Sequence, residues 1–488
     1  MRTWSTAALF LAGWASTAPA ATTPGASRER RPNLILLLVD DWGWTDAGCC
    51  GSDLYLTPNI DRLAAEGVRF TDAYAACTVC SPTRAAAMTG QYPARLRVTD
   101  WIPGHGRKKA KLRPPEWTQK LEHRHTTVAE ALRGAGYRTL HAGKWHLTPR
   151  SRELEVVSEY YPQRHGFELN IAGNQWGAPG SYFWPFERKK GQGQGLDRRV
   201  ANFPEGGEEG AYLTDFLTDA VLAQLDQWKD EEFFLYFPYY NVHTPIQAPA
   251  EDVARAKSRI TAANRHRNPT YAGMVEAVDR SLGRIRDKLR ELGIADDTII
   301  LMTGDNGGLD NRGNPTDNAP LRAGKGSAYE GGVRVPAFAH GPIVQQPGRV
   351  CDEPIHTIDL YPTLLRCAGV DTPAGHVVDG CPLQPLLSDP DADLGRDTLF
   401  WHYPHYHPGG ATPYSAVRAG DWRLVHFFET DRVELYNLRT DLSESEDLST
   451  KNLEKTGKLR AVLDAWLESV DAQPPRSNPG YVPPSDDN

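Results

Sequence analysis

Cys80-Ser81-Pro82-Thr83-Arg84 sets a proline two residues and an arginine four residues after a cysteine, the pattern read by enzymes that oxidise a cysteine side chain to an aldehyde. The chain continues Ala85-Ala86-Ala87-Met88-Thr89-Gly90, good helix formers closed by a glycine, with Pro82 near the first turn. Cys80 is therefore expected at a helix N-terminus, where unpaired backbone N–H groups and the helix dipole favour an anion. Residue 80 reads as the precursor of a catalytic aldehyde. Cys77 and Cys80 also form a C-x-x-C, a redox pair or half a zinc site, but no second C-x-x-C or His pair completes a zinc site.

Positioning such a group requires a scaffold. Asn33 to Val39 is a continuous apolar run between Pro32 and Asp40, as expected of a strand buried on both faces. A helix should start at Pro58 with Thr57 as its cap and end at Gly67, before a strand from Val68 to Phe70. Thr127-Val128-Ala129-Glu130 has the form of a capping box opening a helix that stops at Gly134, followed by a strand from Tyr137 to Ala142. Leu213 to Trp228 and Tyr271 to Leu292 read as helices, each followed by a strand, Phe233 to Phe237 and Thr298 to Met302. The alternation predicts an α/β fold, a large mixed and mostly parallel sheet sandwiched by helices. Polar residues follow these strands directly: Asp40-Asp41, Lys144 and His146, His243, and Asp305-Asn306. Ligands bind at the carboxyl ends of strands in such sheets, so four segments deliver candidate site residues to one edge. Singly, each is an ordinary turn or a surface histidine; jointly they match one mechanism.

Asp40-Asp41, Cys80 to Arg84, Gly143-Lys144-Trp145-His146, Val242-His243-Thr244-Pro245, Asp305-Asn306-Gly307-Gly308, and Gly324-Lys325-Gly326 through Tyr329-Glu330-Gly331-Gly332-Val333-Arg334 together resemble the type I, formylglycine-dependent sulfatases of the alkaline phosphatase superfamily. The resemblance runs in the family's order from about Asn33 to the C-terminus. It implies that a formylglycine-generating enzyme converts Cys80, that the aldehyde hydrates to a diol whose oxygen attacks sulfur, and that sulfate leaves as the aldehyde re-forms. It further implies that His243 gives a proton to the leaving alcohol and that His146 assists turnover. Asp40, Asp41, Asp305 and Asn306 offer only oxygen, a set suited to Ca²⁺ first and Mg²⁺ second, with residue 80 joining through its diol oxygen. Lys144 and Lys325 would neutralise sulfate oxygens, and Arg84, one turn after residue 80, would hold the diol or a metal-site Asp. Two other functions stay open. One is an arylsulfatase or a phosphoester or phosphonate monoester hydrolase of the same superfamily; the other is a carbohydrate-binding protein whose Cys80 remains a thiol.

A formal net charge of −8 gives no sign of nucleic-acid binding, and 40% hydrophobic with 24% charged residues leaves ample material for a core. Met1-Arg2-Thr3, the apolar stretch from Ala7 to Ala15 and Ala18-Pro19-Ala20 read as a signal peptide over residues 1–20, hence an exported chain, periplasmic or secreted. No later segment approaches the roughly 20 apolar residues of a membrane span. Seven cysteines, an odd number, leave any pairing undetermined. The catalytic α/β domain is expected over residues 21–386. After the polar stretch Asp389-Pro390-Asp391-Ala392-Asp393, a smaller α+β part is expected over 387–488. It would have antiparallel strands at Ser415 to Arg418, Trp422 to Phe427 and Val433 to Asn437, a helix from Leu453 to Val470 and an irregular tail from Gln473. Phe400 to Pro408, and Asn174-Gln175-Trp176 with Tyr182-Phe183-Trp184, are dense in rings. Such rings suit sugars, so Trp401, His402, His405 and Trp176 are expected to line a subsite for a sulfated oligo- or polysaccharide, with packing between the two domains as the competing reading.

Overall fold

The computed structural model describes Met1 and residues 30–107, 109–151, 153–187, 207–311, 314–389 and 392–482. Residues 2–20 of the expected signal peptide and residues 390–391 of the polar stretch lie outside them.

Among the described residues the large sheet has nine strands: β1 (Asn33–Val39), β2 (Val68–Tyr74), β3 (Arg138–Ala142), β4 (Leu169–Ile171), β5 (Phe233–Pro238), β6 (Thr298–Gly304), β7 (Arg334–His340), β8 (Arg349–Cys351) and β9 (Ile355–His356). Their order is β9-β2-β7-β6-β1-β5-β3-β4, with β8 beside β2. Only β7 runs antiparallel to its neighbours, β2 and β6. The sheet is thus mixed and mostly parallel. β2 runs on past Phe70 because a register shift between Phe70 and Ala73 lets Ala73 and Tyr74 pair again with Val335 and Arg334; the irregularity hides this extension from an alternation rule.

The central strand β1 is buried along its whole length, and its side chains alternate between two cores. Ile35, Leu37 and Val39 pack with α1 (Pro58–Glu66), α4 (Leu213–Trp228) and α5 (Pro269–Glu291). Leu34, Leu36 and Leu38 pack on the other side with α2 (Cys80–Thr89), α3 (Val128–Gly134) and α6 (Leu360–Cys367). The capping box of α3 is complete: Thr127 Oγ1 accepts from Glu130 N at 3.1 Å, and Thr127 N donates to Glu130 Oε2 at 2.7 Å. Thr57 differs from expectation. Its hydroxyl accepts from Gly48 N at 2.7 Å and donates to Asp61 Oδ1 at 3.0 Å, tying a neighbouring turn to α1 instead of capping it.

A second sheet is an antiparallel meander of β10 (Thr398–Tyr403), β11 (Tyr414–Ala419), β12 (Trp422–Phe427) and β13 (Arg432–Asn437). One face, through Phe400, Val417, Leu424 and Leu435, packs on Leu459, Leu463 and Trp466 of α7 (Leu453–Ser469). The other, through Leu399, Trp401, Tyr403, Tyr414 and Val425, packs on Tyr74, Cys77, Val79, Ala328 and Val333 of the larger unit. The tail is less irregular than its composition implies, since Arg476–Ser477 pairs antiparallel with Leu112–Arg113; a two-residue ladder leaves no periodicity to read. All seven cysteines are free thiols. Among the described residues no helix is long and apolar enough to cross a membrane.

Candidate active site

Strand register brings the site together. Val39 pairs with Gly304 across β1 and β6, and Leu38 with Pro238 across β1 and β5, so Asp40 and Asp305 leave adjacent strands side by side. Asp41 (φ 58°) and His146 (φ 58°) take the left-handed conformation that side chains usually avoid. Each is held there: Asp41 N donates to Asp305 Oδ1 at 3.1 Å, and His146 N to Asn174 O at 3.2 Å. Gly143 (φ 120°) turns the chain after β3 so closely that a Cβ would lie 2.1 Å from Pro238 O.

Cys80 is the first residue of α2 and 2% exposed. Its Sγ and carboxylate oxygens of Asp40 and Asp305 all lie within 4.8 Å of one another. Arg84, one turn on and fully buried, donates from Nε to Asp305 Oδ2 at 2.9 Å and from Nη1 to Lys144 O at 2.8 Å. Its Nη2 lies 2.7 Å from Asp305 Oδ2 and 3.5 Å from Asp40 Oδ1. Lys144 Nζ pairs with Asp40 Oδ2 at 2.6 Å and Lys325 Nζ with Asp41 Oδ1 at 2.6 Å.

Two histidines belong to the site, and one of them faces residue 80. His146 Nε2 sits 2.6 Å from Ile102 O, and Nδ1 is 3.5 Å from Cys80 Sγ. A carbonyl only accepts, so Nε2 carries the proton and the Nδ1 lone pair faces residue 80. Burial, reinforced by Lys144, drives the His146 pKa well below the ordinary value and keeps that tautomer neutral. His243 donates from Nδ1 to Thr244 O at 2.8 Å, and its Nε2 lies 3.7 Å from Asp41 Oδ2. Burial and then Lys325 lower His243 to about 3.

The carboxylates divide. Burial and then Asp305 raise Asp40 well above the carboxylate range. Burial also works upward on Asp41 and Asp305, but Lys325 and His243 outweigh it for Asp41, and Arg84 and Lys144 for Asp305, so both are lowered. Burial pushes the thiols of Cys77 and Cys80 up, the opposite of what a reactive C-x-x-C pair needs.

The donor set fits a hard cation. After the pairs above are formed, Asp40 Oδ1 and Asn306 Oδ1 remain buried with no hydrogen-bond donor among the described residues. The Asn306 orientation is fixed because its Nδ2 donates to Asp41 Oδ1 at 2.9 Å and to Gly307 O at 3.0 Å, which leaves the carbonyl oxygen unsatisfied. Asp41 Oδ2 has only the distant His243 ring, and Asp305 Oδ1 a single backbone N–H. One oxygen from each of four residues thus lacks the partners that buried acceptors ordinarily have, and could hold a cation that prefers oxygen.

Above these groups opens a cavity of about 560 Å³. Asp41, Cys80, His146, His243 and Lys325 line it together with Trp101, His105, Arg150, Gln175, Trp176 and His407. Of the four residues expected at a sugar subsite, Trp176 reaches this cavity. The other three are corrected. Trp401 is 1% exposed and donates from Nε1 to Ala75 O at 2.9 Å, inside the contact between the two sheets' units. His402 is buried between Ser415 Oγ at 2.7 Å and Gln473 O at 3.0 Å, and His405 bonds Thr99 Oγ1 at 2.9 Å. Side-chain parity in β10 directs Trp401 to the interface and His402 to the opposite face. His407, in the same ring-rich stretch but past the strand's end, lines the cavity instead. Trp101, His105, Arg150 and His407 carried no local signal beyond residue type.

Comparison with known proteins agrees with this arrangement. The sulfatase family profile matches residues 32–370, and a profile described as N-sulphoglucosamine sulphohydrolase, C-terminal, matches residues 324–473. A sulfatase of Formosa agariphila is 33% identical, covering 90% of this chain and 89% of its own. Human arylsulfatase A is 33% identical over 84% of this chain and 77% of its own. The crystal structure of Ps i-CgsB in complex with k-i-k-neocarrahexaose superposes with a TM-score of 0.74 at 30% identity, covering 93% of this chain and 96% of that one. With its mixed sheet, smaller antiparallel sheet and these likenesses over most of its length, the chain belongs to the sulfatase family, within the alkaline phosphatase-like superfamily, and is a sulfuric ester hydrolase.

Proposed function

We propose that this hydrolase removes sulfate from a sulfated oligo- or polysaccharide, using formylglycine made from Cys80 by a formylglycine-generating enzyme and a calcium ion held by Asp40, Asp41, Asp305 and Asn306. The observation that carries the reading is the setting of Cys80. It is buried at a helix N-terminus in the wall of the cavity, beside Asp305 and Asp40, the latter with an unfilled oxygen, and faces a histidine lone pair.

Charge balance supports it. With a divalent cation beside it Asp40 would ionise as Asp41 and Asp305 do, and the three carboxylates would be matched by the three cations of Arg84, Lys144 and Lys325. A bound divalent cation would therefore leave a net positive site suited to an anionic sulfate ester and an ionised oxygen nucleophile, the oxygen being supplied by the hydrated formylglycine. Arg84 keeps two carboxylates in place. Lys325 lines the cavity where sulfate oxygens would lie, and Lys144, buried against Asp40, adds a second fixed positive charge to the site. His146 offers Nδ1 as a proton acceptor at residue 80. His243 is suited to protonate the departing alcohol from Nε2; burial and then Lys325 hold its pKa down, and an entering sulfate anion would offset the Lys325 charge. Trp101 and Trp176 give the cavity the aromatic faces that sugar rings stack on, and its size suits a saccharide. The likeness to Ps i-CgsB, solved in complex with k-i-k-neocarrahexaose, supports the carbohydrate reading.

The first test is the mass of the tryptic peptide Phe70 to Arg84 from protein co-produced with a formylglycine-generating enzyme. An aldehyde is expected at position 80, and an intact thiol would remove the nucleophile from the mechanism. The second is His243→Ala. Activity on sugar sulfates, whose leaving alcohols are basic, should fall by about 10²- to 10⁴-fold, and activated aryl sulfates should lose far less. Equal loss on both substrate types would reject His243 as the proton donor.

A further inference from the structure

Next to the catalytic cavity lies a second, more open hollow of about 630 Å³, lined among others by Arg107, Lys109, Lys111, Tyr406, Thr412 and Glu429. Its cations come from one segment, His105-Gly106-Arg107-Lys108-Lys109-Ala110-Lys111-Leu112-Arg113, which carries five Lys or Arg and no acid in a chain of net charge −8. A basic run is usually just a solvated loop, so its position must decide.

Two pairs of neighbouring residues connect this hollow to the chemistry. The rings of His105 and His407 lie 5.3 Å apart, edge to face, and both line the catalytic cavity. One residue before His407 and two after His105, the guanidinium of Arg107 sits 5.8 Å over the Tyr406 ring, and both line the basic hollow. The same two segments therefore form a wall of both spaces. The basic segment is also anchored. Leu112 N donates to the Tyr406 hydroxyl at 3.1 Å, Lys111 Nζ donates to Glu429 O at 2.7 Å, and Leu112–Arg113 pairs with Arg476–Ser477. Arg107, Lys109 and Lys111 are exposed, and among the described residues none of them has an ion-pair partner. Glu429 is the one carboxylate residue in the lining.

We propose that this hollow binds a further anionic stretch of the saccharide whose sulfate ester occupies the catalytic cavity, so that the enzyme prefers a polyanionic chain over an isolated sugar sulfate. The inference rests on the carbohydrate reading of the active site. Exposed cations contribute little singly and are screened by salt, but a linear polyanion engages several at once.

The test compares the full-length, matured protein with Arg107→Gln/Lys109→Gln/Lys111→Gln. Binding to immobilised dextran sulfate is read without turnover, and kcat/KM is measured on a sulfated polysaccharide and on 4-nitrophenyl sulfate. Loss of three exposed charges should weaken dextran sulfate binding and polysaccharide kcat/KM by about tenfold at low salt. The salt dependence of both should flatten, and 4-nitrophenyl sulfate hydrolysis should stay unchanged. A Lys109→Arg/Lys111→Arg variant should bind like the wild type. Equal dextran sulfate binding by the wild type and the triple variant overturns the proposal and leaves the active-site reading intact. If the matured wild type hydrolyses no sulfate ester, the active-site reading fails, and the dextran sulfate comparison still decides whether the hollow binds polyanions.

Discussion

Arg84 shows how much a single buried residue can carry. It is completely enclosed and touches Asp305, Asp40 and the Lys144 carbonyl at once, so removing it strands the buried carboxylate of Asp305 and leaves Asp40 with Lys144 alone. Arg84→Ala should cost about 3–5 kcal/mol of stability, read as a lowered urea midpoint, and abolish sulfate ester hydrolysis. A small loss of stability would mean that the carboxylates find other compensation. Asp100 gives a pH-dependent case. Burial raises it to about 7 even though Tyr403 and the backbone of Trp101 and His105 donate to it. His405 Nδ1 faces it at 3.7 Å, and burial lowers that ring to about 3, so the two meet as neutral groups at mildly acidic pH. The folded Asp100 holds a proton that the unfolded chain has already released, so its contribution is complete below about pH 4 and is lost as pH rises through about 7. Asp100→Asn removes that component. The stability of the wild type relative to the variant should decline across this window, and a pH-independent difference would disprove the assignment.

At the scale of elements, turns and caps decide where site residues end up. At Gly307 a Cβ would lie 1.8 Å from Gly331 O, so the turn after Asn306 reaches the backbone after Glu330 only because residue 307 has no side chain. Gly307→Ala should therefore displace Asn306 and reduce activity at least tenfold, because a 1 Å misplacement at a reacting centre can cost about 100-fold. Wild-type kcat/KM in that variant would show that the loop can yield. The capping box of α3 is a useful contrast, being remote from the chemistry. Thr127→Ala should cost about 1 kcal/mol in thermal or urea unfolding and leave kcat unchanged. The motifs that cluster in the site were legible because each is short and local, and four of the segments follow a strand whose hydrophobic run marks it. The register that aligns Val39 with Gly304 was not written in any one segment. For the same reason the subsite residues were misjudged: Trp401 and His407 are six positions apart in one aromatic stretch, and only the parity and end of β10 send one into packing and the other to the cavity.

At the scale of the whole molecule, the two units share a buried ionic network. Glu330 pairs with Arg423 at 2.6 Å and Arg334 at 3.2 Å and accepts from the Tyr74 hydroxyl at 2.7 Å, linking β12 to the large sheet. Arg423→Ala should cost about 3–5 kcal/mol, and because the network spans both units, calorimetry should show one transition moving rather than two separating. A low-temperature transition confined to the smaller unit would refute that coupling. By itself the sequence determined the α/β class, the order of elements and the identity of the polar residues behind the strands. Those properties depend on local hydrophobic period, caps and motif spacing, which a linear chain displays directly. Only the tertiary structure decided which rings face the cavity, that a basic segment lies against its rim, and that Asp305 and Asp40, the latter with an unfilled oxygen, meet beside Cys80, since such facts arise from contacts between residues far apart in the chain.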